Sequence, residues 1–488
     1  MSFKDNREYI KALQKHGELQ VIDKEVHWNL EAGAILRRTY EQRLPAPLFQ
    51  KITGYPGFRM FGGALSSLSR VALNFDMPPD THLRDLMKEY SKRKARPIKP
   101  VVVKDAPCKE NIRIGKDVNL FELPAPMVHE GDGGRFLCTW HINIVKDLET
   151  DWVNWGMYRA MIHTRNTMGG LLDINQHIGL IHWKYENNDK EMPFALVIGP
   201  DPLCAMAACS KIAYGTSEVD IAGGLKQEPV ELVKCETNNL YVPAHAEIII
   251  EGVVKPHERE WEGPFGEFTG YRASPRDKRP VYSVKAVTFR NDPILTMSCM
   301  GIPIDDCAAQ MSVTGGAENL ATLKREGIPV VDVCLYQEMA HFLIVVSTKT
   351  PYANIASRIA TCLWGSDSGY TIPYVVVVND DIDPHDIMQV MHALATKCHP
   401  YRGITRLEHA QGFSLQPFLS RPERLSKQGA RAYFDCTWPL DWDPSIAIPP
   451  KASFNNIYSK EVQDHVLKNW KAYGFKEGIP DKKPKGGK

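Results

Sequence analysis

The sequence predicts an α+β protein of several domains, in which a strand-rich centre lies between two α/β regions. The chain has 488 residues, more than a single hydrophobic core usually organises. Residues 101–300 carry β-branched and aromatic runs that Gly- and Pro-bearing turns separate. Before and after this stretch, helical and strand periodicities alternate along the chain.

The first hundred residues predict a small α/β unit. Residues 6–16 have the apolar spacing of a helix, and Leu19–Ile22 follow as a short strand. A second helix is expected to begin with Asn29 as its N-cap. The basic, proline-bounded run at 92–100 could contact phosphates, but a solvated linker is the preferred interpretation.

The central region predicts a β-sandwich or barrel, because helical periodicity is sparse there. We expect strands at 101–103, 141–145, 153–163, 247–254, 281–289 and 294–297.

The C-terminal region alternates again, and its apolar strands predict a sheet that is covered on both faces. Asp383 is expected to cap a helix whose first turn contains Pro384. The expected helices are 318–326, 354–363, 384–397 and 459–472, the expected strands are 330–335, 342–347 and 374–378, and a basic tail is expected at 482–488.

Composition excludes several classes of protein. A net charge of +1 argues against a dedicated nucleic-acid binder. The eleven cysteines include no Cys-x-x-Cys pair, so neither a disulfide framework nor a zinc site is expected. No apolar run has the length of a signal region or a membrane span. We therefore expect a cytoplasmic protein with no membrane or nucleic-acid partner.

The segment Glu262-Gly-Pro-Phe-Gly-Glu267 places two carboxylates on a Gly/Pro loop between strand-like runs. Two such acids can divide acid and base roles if their environments separate their pKa values. Arg159 offers a bidentate partner for a carboxylate. In an ideal strand, Asn154 and Arg159 would point to opposite faces, so a bulge is expected at Gly156.

Asn154, His177 and Glu218 are candidate ligands of a hard divalent ion such as manganese or magnesium. Taken singly, each is better interpreted as a hydrogen-bonded structural residue. The glycine-rich run at 129–134 precedes strands, which gives little support to a dinucleotide site, and the chain has neither a Walker-type lysine loop nor a Gly-x-Ser-x-Gly elbow.

Taken together, five segments resemble the UbiD family of reversible decarboxylases, which use prenylated FMN. They come in the family's order over about residues 110–310, and the closest branch is that of protocatechuate, gallate and 4-hydroxybenzoate decarboxylases. The segments are Asn154-Trp155-Gly156-Met157-Tyr158-Arg159, Gln176-His177, Thr216-Ser217-Glu218, Glu231-Leu-Val-Lys-Cys235, and Glu262-Gly-Pro-Phe-Gly-Glu267 with Gly270-Tyr271.

The resemblance implies a fold, a division into domains and a set of ions. An active site would lie between a flavin-reductase-like split β-barrel and a C-terminal α/β domain, which a linker helix joins. A manganese or other divalent ion would bridge to the cofactor phosphate, with a potassium ion beside it. The implied domains are 1–110 (α/β), 111–316 (barrel), 317–465 (α/β) and 466–488 (helix end and tail); the implied ion ligands are Asn154, His177 and Glu218, and the cofactor contacts also include residues 155–159 and Gln176.

The resemblance also implies roles for Arg159, Glu262 and Glu267, which match the family's Glu–Arg–Glu network. Direct loss of CO2 from an aromatic acid would leave an aryl carbanion, so the cofactor would supply the electron sink through a covalent adduct. Arg159 would orient the substrate carboxylate, Glu262 would hold Arg159, and Glu267 would protonate the ring carbon.

The expected reaction is the reversible decarboxylation of a phenolic acid, for example protocatechuate to catechol and CO2. The alternatives are another unsaturated acid, whether cinnamate-like, heteroaromatic or a polyprenyl hydroxybenzoate, or a non-catalytic flavin-binding subunit. The expected partners are the small aromatic acid, a flavin prenyltransferase that supplies the cofactor, and further copies of the chain in a homodimer or hexamer.

Overall fold

A computed structural model describes residues 3–476. It has the mixed α/β, multidomain architecture that the sequence predicts. No helix within the described residues is both long enough and apolar enough to cross a membrane. The predicted basic tail at 482–488 lies outside the described residues.

The N-terminal region forms a four-stranded sheet with helices packed beside it. Its elements are α1 (Asn6–Lys15), β1 (Leu19–Ile22), α2 (Glu31–Glu41), β2 (Ala46–Phe49), β3 (Arg59–Gly62), α3 (Leu68–Asn74) and α4 (Leu83–Lys94). The fourth strand of this sheet, β16 (Ile294–Met297), pairs in parallel with β3. The prediction that assigned this strand to the central region was therefore wrong, because its hydrogen-bonding partner lies more than two hundred residues earlier.

Two further N-terminal predictions were wrong in detail. Leu30, not Asn29, is the N-cap of α2, and no side chain caps that helix. The basic run at 92–100 is largely exposed, as predicted, but it is not only a linker, because it includes the last turn of α4. Within it, Arg93 donates hydrogen bonds to the carbonyl oxygens of Leu225 at 3.0 Å and Phe75 at 2.6 Å. The run therefore packs against the central region.

The central region is built on a curled, nine-stranded antiparallel sheet, with strand order β6-β9-β10-β15-β14-β11-β7-β8 and β5 paired to β15. The strands are β4 (Val101–Val102), β5 (Asn111–Ile114), β6 (Phe136–Cys138), β7 (His141–Lys146), β8 (Val153–Gly156), β9 (Ala160–Ile162), β10 (Thr167–Gly170), β11 (Met192–Ile198), β12 (Glu231–Lys234), β13 (Tyr241–Pro243), β14 (Ile248–Glu262) and β15 (Asp277–Phe289). A small sheet of β13, β12 and β4 flanks it.

Three helices interrupt the central strands, although the pattern indicated few helices there: α5 (His177–Asn187), α6 (Pro202–Cys209) and α7 (Glu218–Lys226). Nearly every residue of α6 and α7 is buried. A helix that is buried all round has no polar face, so its sequence lacks the amphipathic period that identifies a helix. The single strand expected at 153–163 is likewise two strands, β8 and β9, separated by residues 157–159.

The linker helix α8 (Asp306–Arg325) is the longest in the described residues and is almost wholly buried. Asp305 caps it by accepting a hydrogen bond from the Ala308 amide at 2.8 Å. The sequence predicted only its second half, 318–326. The first half is buried on every side, including polar residues such as Asp306 and Gln310, and packs against both the N-terminal and the C-terminal regions.

The C-terminal region is a five-stranded mixed sheet, ordered β17-β18-β19-β21-β20, with helices around it. Asp386, not Asp383, caps α10, since its carboxylate accepts from the amides of Met388 and Gln389. Its elements are β17 (Val330–Leu335), β18 (Leu343–Thr348), α9 (Ile355–Trp364), β19 (Tyr374–Asn379), α10 (Ile387–Thr396), β20 (Ile404–Gln411), α11 (Arg421–Ser426), β21 (Gln428–Cys436), α12 (Phe454–Ile457) and α13 (Lys460–Asn469).

Candidate active site

A cavity of about 330 Å³ lies where the central sheet meets the C-terminal region. Its polar wall contains Arg159 and Glu267. Much of the remaining wall is apolar, and both regions contribute to it: Leu171, Phe265, Phe268, Met311, Phe342, Phe413 and Leu415. The cavity is thus a largely apolar chamber with a few charged groups in its wall, as is typical of sites for small ligands.

Arg159, Glu262 and Glu267 meet at this wall. The Arg159 guanidinium donates from Nε to Glu262 Oε1 and from Nη2 to Glu262 Oε2, both at 2.8 Å, and from Nη1 to Glu267 Oε1. The Glu262 side chain has no exposed surface, and those of Arg159 and Glu267 are 6% exposed. The three groups that the sequence singled out therefore form one buried cluster, although they lie up to 108 residues apart.

The direction of Arg159 depends on the break between β8 and β9. Residues 157–159 leave the sheet, which lets Arg159 and Asn154 escape the alternation of a continuous strand. A Cβ at Gly156 would lie 2.3 Å from a Tyr158 ring carbon, so only glycine allows this ring to fold back onto the strand. The irregularity expected at Gly156 thus takes the form of a strand break just after it.

The loop that carries Glu262 and Glu267 is braced by the glycine-rich run at 129–134. Asp132 Oδ1 accepts from the Gly266 amide at 3.0 Å, and the Gly133 amide donates to the Pro264 carbonyl oxygen at 2.8 Å. A Cβ at Gly133 would lie 2.0 Å from the Gly263 carbonyl oxygen. Gly133 and Gly266 therefore allow the 129–134 run and the 262–267 loop to pack closely. This packing accounts for the glycines of the run, and no nucleotide-binding role is needed to explain them.

The protonation of the cluster follows from burial and charge. Burial raises the pKa of the Glu267 carboxyl, and the Arg159 guanidinium lowers this pKa by a smaller amount. For Arg159, burial alone would lower the pKa of the guanidinium, but the charges of Glu262 and Glu267 raise it above the usual value. The arrangement therefore favours a charged Arg159 and an acid at Glu267 that holds its proton to higher pH than an ordinary glutamate.

Asn154, His177 and Glu218 form a second cluster. Asn154 Nδ2 donates to Glu218 Oε1 at 2.9 Å, and His177 Nδ1 lies 4.0 Å from the same oxygen. His177 and Glu218 are the first residues of α5 and α7, so two helix starts converge on the end of β8. Because Asn154 contributes an amide, the described residues here contain no trio drawn only from His, Cys, Asp and Glu.

The donors in this second cluster fit a hard divalent ion. Within residues 3–476, Asn154 Oδ1 is buried and has no hydrogen-bond partner. Burial raises the pKa of Glu218 to about 8, and burial lowers the pKa of His177, with only partial opposition from the charge of Asp367. A cation would satisfy the amide oxygen, stabilise the carboxylate and bind neutral imidazole.

The remaining predicted contacts divide between the cavity wall and the core. Met157, Tyr158 and Gln176 line the cavity. Trp155 is buried in the core, and its amide donates to Glu218 Oε2 at 3.2 Å.

The sequence missed several residues of the cavity wall. They include Lys211 after α6, His341 before β18, and Tyr370 and Thr371 before β19. Each lies in a connecting segment with no motif around it. The one visible signal is the position of Lys211, a lone cation that follows the wholly apolar helix α6.

Three sequence profiles of one family cover most of the chain. They describe the N-terminal, Rift-related and C-terminal domains of 3-octaprenyl-4-hydroxybenzoate carboxy-lyase, and they match residues 10–90, 99–303 and 310–436. The chain belongs to the UbiD family. Members of this family are carboxy-lyases that use prenylated FMN, so the chain is an enzyme of that type and not an accessory subunit.

Curated relatives of the UbiD family match over nearly the full length. The chain is 33% identical to pyrrole-2-carboxylic acid decarboxylase of Pseudomonas aeruginosa, over 96% of this chain and 98% of the relative. It is 30% identical to ferulic acid decarboxylase 1 of Saccharomyces cerevisiae, with the same two coverages. It is 34% identical to phenolic acid decarboxylase of Bacillus subtilis, over 82% of this chain and 86% of the relative. The relatives act on aromatic or unsaturated acids of several kinds.

Solved UbiD structures share the fold. Vanillic acid decarboxylase of Sedimentibacter hydroxybenzoicus in its closed form has a TM-score of 0.89 at 29% identity, covering 96% of this chain and 99% of that one. Its open form has a TM-score of 0.81 at 28% identity, covering 97% of this chain and 100% of that one. HmfF from Pelotomaculum thermopropionicum in complex with FMN has a TM-score of 0.79 at 27% identity, covering 96% of this chain and 100% of that one. The conformation described here is therefore nearer to the closed form.

Proposed function

We propose that this UbiD-family decarboxylase acts reversibly on a phenolic aromatic acid of the protocatechuate type and yields catechol and CO2. The observation that carries the proposal is the buried Glu262–Arg159–Glu267 cluster at the wall of an apolar cavity. A single aromatic ring suits such a chamber, and its carboxylate needs a cation to receive it.

Arg159 is the group that orients the carboxylate. Its three contacts to glutamates use three of its five N–H donors, so two remain for an incoming anion. Because burial favours the protonated form of Glu267, one fewer carboxylate charge opposes a substrate carboxylate that approaches Arg159. Glu262, through its two bonds at 2.8 Å, holds the guanidinium plane in place.

Glu267 is the proton donor. It lines the cavity, and its pKa is raised by burial, so it can carry a proton at the operating pH and deliver it to the ring carbon once CO2 has left. In the reverse direction the same carboxylate accepts that proton. The apolar wall, to which Phe265 and Phe268 contribute on either side of Glu267, would limit competing water around the reacting ring.

Prenylated FMN, when bound, supplies the electron sink that an aromatic carbanion otherwise lacks. Asn154, His177 and Glu218 would hold a divalent ion, manganese in this proposal, that receives the flavin phosphate, and a potassium ion belongs to the same proposal. Met157, Tyr158 and Gln176 would contact the flavin. Assembly into a homodimer or hexamer remains a prediction.

A heteroaromatic substrate is the second candidate, since pyrrole-2-carboxylic acid decarboxylase is 33% identical over 96% of this chain. The phenolic candidate is supported by the similarity to phenolic acid decarboxylase and by the TM-score of 0.89 to a vanillic acid decarboxylase.

A substrate panel separates the two candidates. The enzyme is co-produced with a flavin prenyltransferase and assayed for CO2 release from protocatechuate, 4-hydroxybenzoate, vanillate, pyrrole-2-carboxylate and ferulate. We expect the highest kcat/KM on a phenolic benzoate. Turnover restricted to pyrrole-2-carboxylate or ferulate would contradict the assignment to a phenolic benzoate.

A further inference from the structure

Lys211 lines the cavity, and in the described part of the chain it has no acidic partner. Its ammonium donates to Thr371 Oγ1 and lies 5.3 Å from the centre of the Tyr370 ring. Among residues 3–476, no carboxylate lies within 4.0 Å of this ammonium. By contrast, Arg159 contacts two carboxylates, and the buried Lys226 lies 2.7 Å from Asp201.

A buried ammonium is costly unless a negative charge balances it. A hydroxyl oxygen and a ring face offset only part of that cost. Burial lowers the pKa of Lys211 to about 8, so the side chain still carries most of its charge at neutral pH. Within the described residues, Lys211 is therefore a cavity-lining cation that lacks a counterion.

The surroundings of Lys211 place it on the same side of the cavity as the candidate metal ligands. Tyr214, three residues further along the chain, packs its ring edge-on against His177 at 5.5 Å between ring centres. On the other wall, Tyr370 and Thr371 belong to the segment that contains Asp367, whose charge acts on His177. The segment of Tyr214 and the segment of Asp367, Tyr370 and Thr371 therefore lie beside both the Lys211 ammonium and His177.

We propose that Lys211 binds the phosphate monoester of the flavin, as a second cation beside the divalent ion of Asn154, His177 and Glu218. This inference rests on the proposed cofactor site. A phosphate monoester carries nearly two negative charges, whereas the divalent ion already shares the carboxylate of Glu218. Lys211 supplies the additional positive charge. The substrate carboxylate has Arg159 instead, so it does not require this lysine.

The test compares FMN with riboflavin, which has the same ring system but no phosphate. Dissociation constants are measured by flavin fluorescence on the full-length, flavin-free protein in the presence of Mn²⁺. We expect Lys211→Met to weaken FMN binding about ten- to hundredfold, the loss expected for one charge-assisted contact. Riboflavin binding should not change, and Lys211→Arg should retain most of the FMN affinity.

Two controls complete the test. Lys397 is a matched residue, since its side chain is only 6% exposed and burial lowers its pKa, yet it lies outside the cavity wall. Lys397→Met should bind FMN like the parent protein. Inorganic phosphate should compete with FMN in the parent protein and compete less in Lys211→Met.

Three results would overturn the inference: unchanged FMN affinity in Lys211→Met, an equal loss of FMN and riboflavin, or a parent protein that binds both flavins equally well. If Lys211 served the substrate instead, the variant would keep its FMN affinity and show only a raised KM. Decarboxylation of the acid panel tests the proposed function separately, because FMN discrimination does not require turnover.

Discussion

Replacing Glu267 by Gln removes the proton donor while it preserves the shape of the site. Glutamine has nearly the same size and keeps an oxygen that can accept from Arg159. The two hydrogen bonds of 2.8 Å that Arg159 donates to Glu262 still hold the guanidinium, so the loop and the cavity should persist. General acid catalysis contributes about 10²- to 10⁴-fold, or roughly 3–5 kcal/mol of the barrier. We therefore expect kcat to fall by at least about 10²-fold.

The assay is CO2 release under saturating substrate, with the bound flavin measured by absorbance in the same samples. Glu260→Gln is the control, because Glu260 lies on β14, the strand that leads into the loop of Glu267, but is exposed to solvent. It should retain full activity. A Glu267→Gln enzyme with full flavin content and near-parental kcat would refute the assignment of the proton donor.

Three further predictions follow from the same geometry. His177→Ala or Glu218→Ala should yield protein depleted of both divalent ion and flavin, measured by elemental analysis and absorbance; full retention of both would dismiss the ion site. Gly133→Ala should lower kcat at least about tenfold while flavin stays bound, because its Cβ would lie 2.0 Å from the Gly263 carbonyl oxygen. Gly365→Ala, whose Cβ would meet nothing closer than 3.4 Å, is its control, and equal kinetics in the two would contradict the bracing role. Finally, since burial raises the pKa of Glu267 and the protonated form is the donor, kcat should fall as pH rises through that raised pKa, and a rate that increases there would contradict the assignment.

Elements with a clear local signal were predictable from the sequence. The strands Leu19–Ile22 and Val330–Leu335 agree with the structure residue for residue, since apolar runs bounded by turn residues mark them. Helices α6 and α7 were not predictable in this way, because burial on nearly all sides leaves little amphipathic period, and α5 blurs its period by exposing the apolar side chains of Leu180 and Trp183.

Contacts between residues that are far apart in the sequence could not be predicted from local sequence patterns. The strand β16 crosses to the N-terminal sheet through its pairing with β3, which no feature of residues 294–297 indicates. The residues of the charged cluster were singled out by their types and spacing, and their roles by resemblance to a family, but their mutual distances required the structure. Lys211 belongs to no motif, and only the surrounding walls show that its charge is unbalanced.

The most direct test of the account is the fate of the ring proton. Enzyme loaded with prenylated FMN should convert protocatechuate in deuterated water to catechol with one deuterium at the carbon that carried the carboxylate, and Glu267→Gln should abolish both this product and deuterium exchange into added catechol. Loss of CO2 from protocatechuate at an undiminished rate in that variant, or no reaction of the loaded parent enzyme with any phenolic acid, would contradict the account.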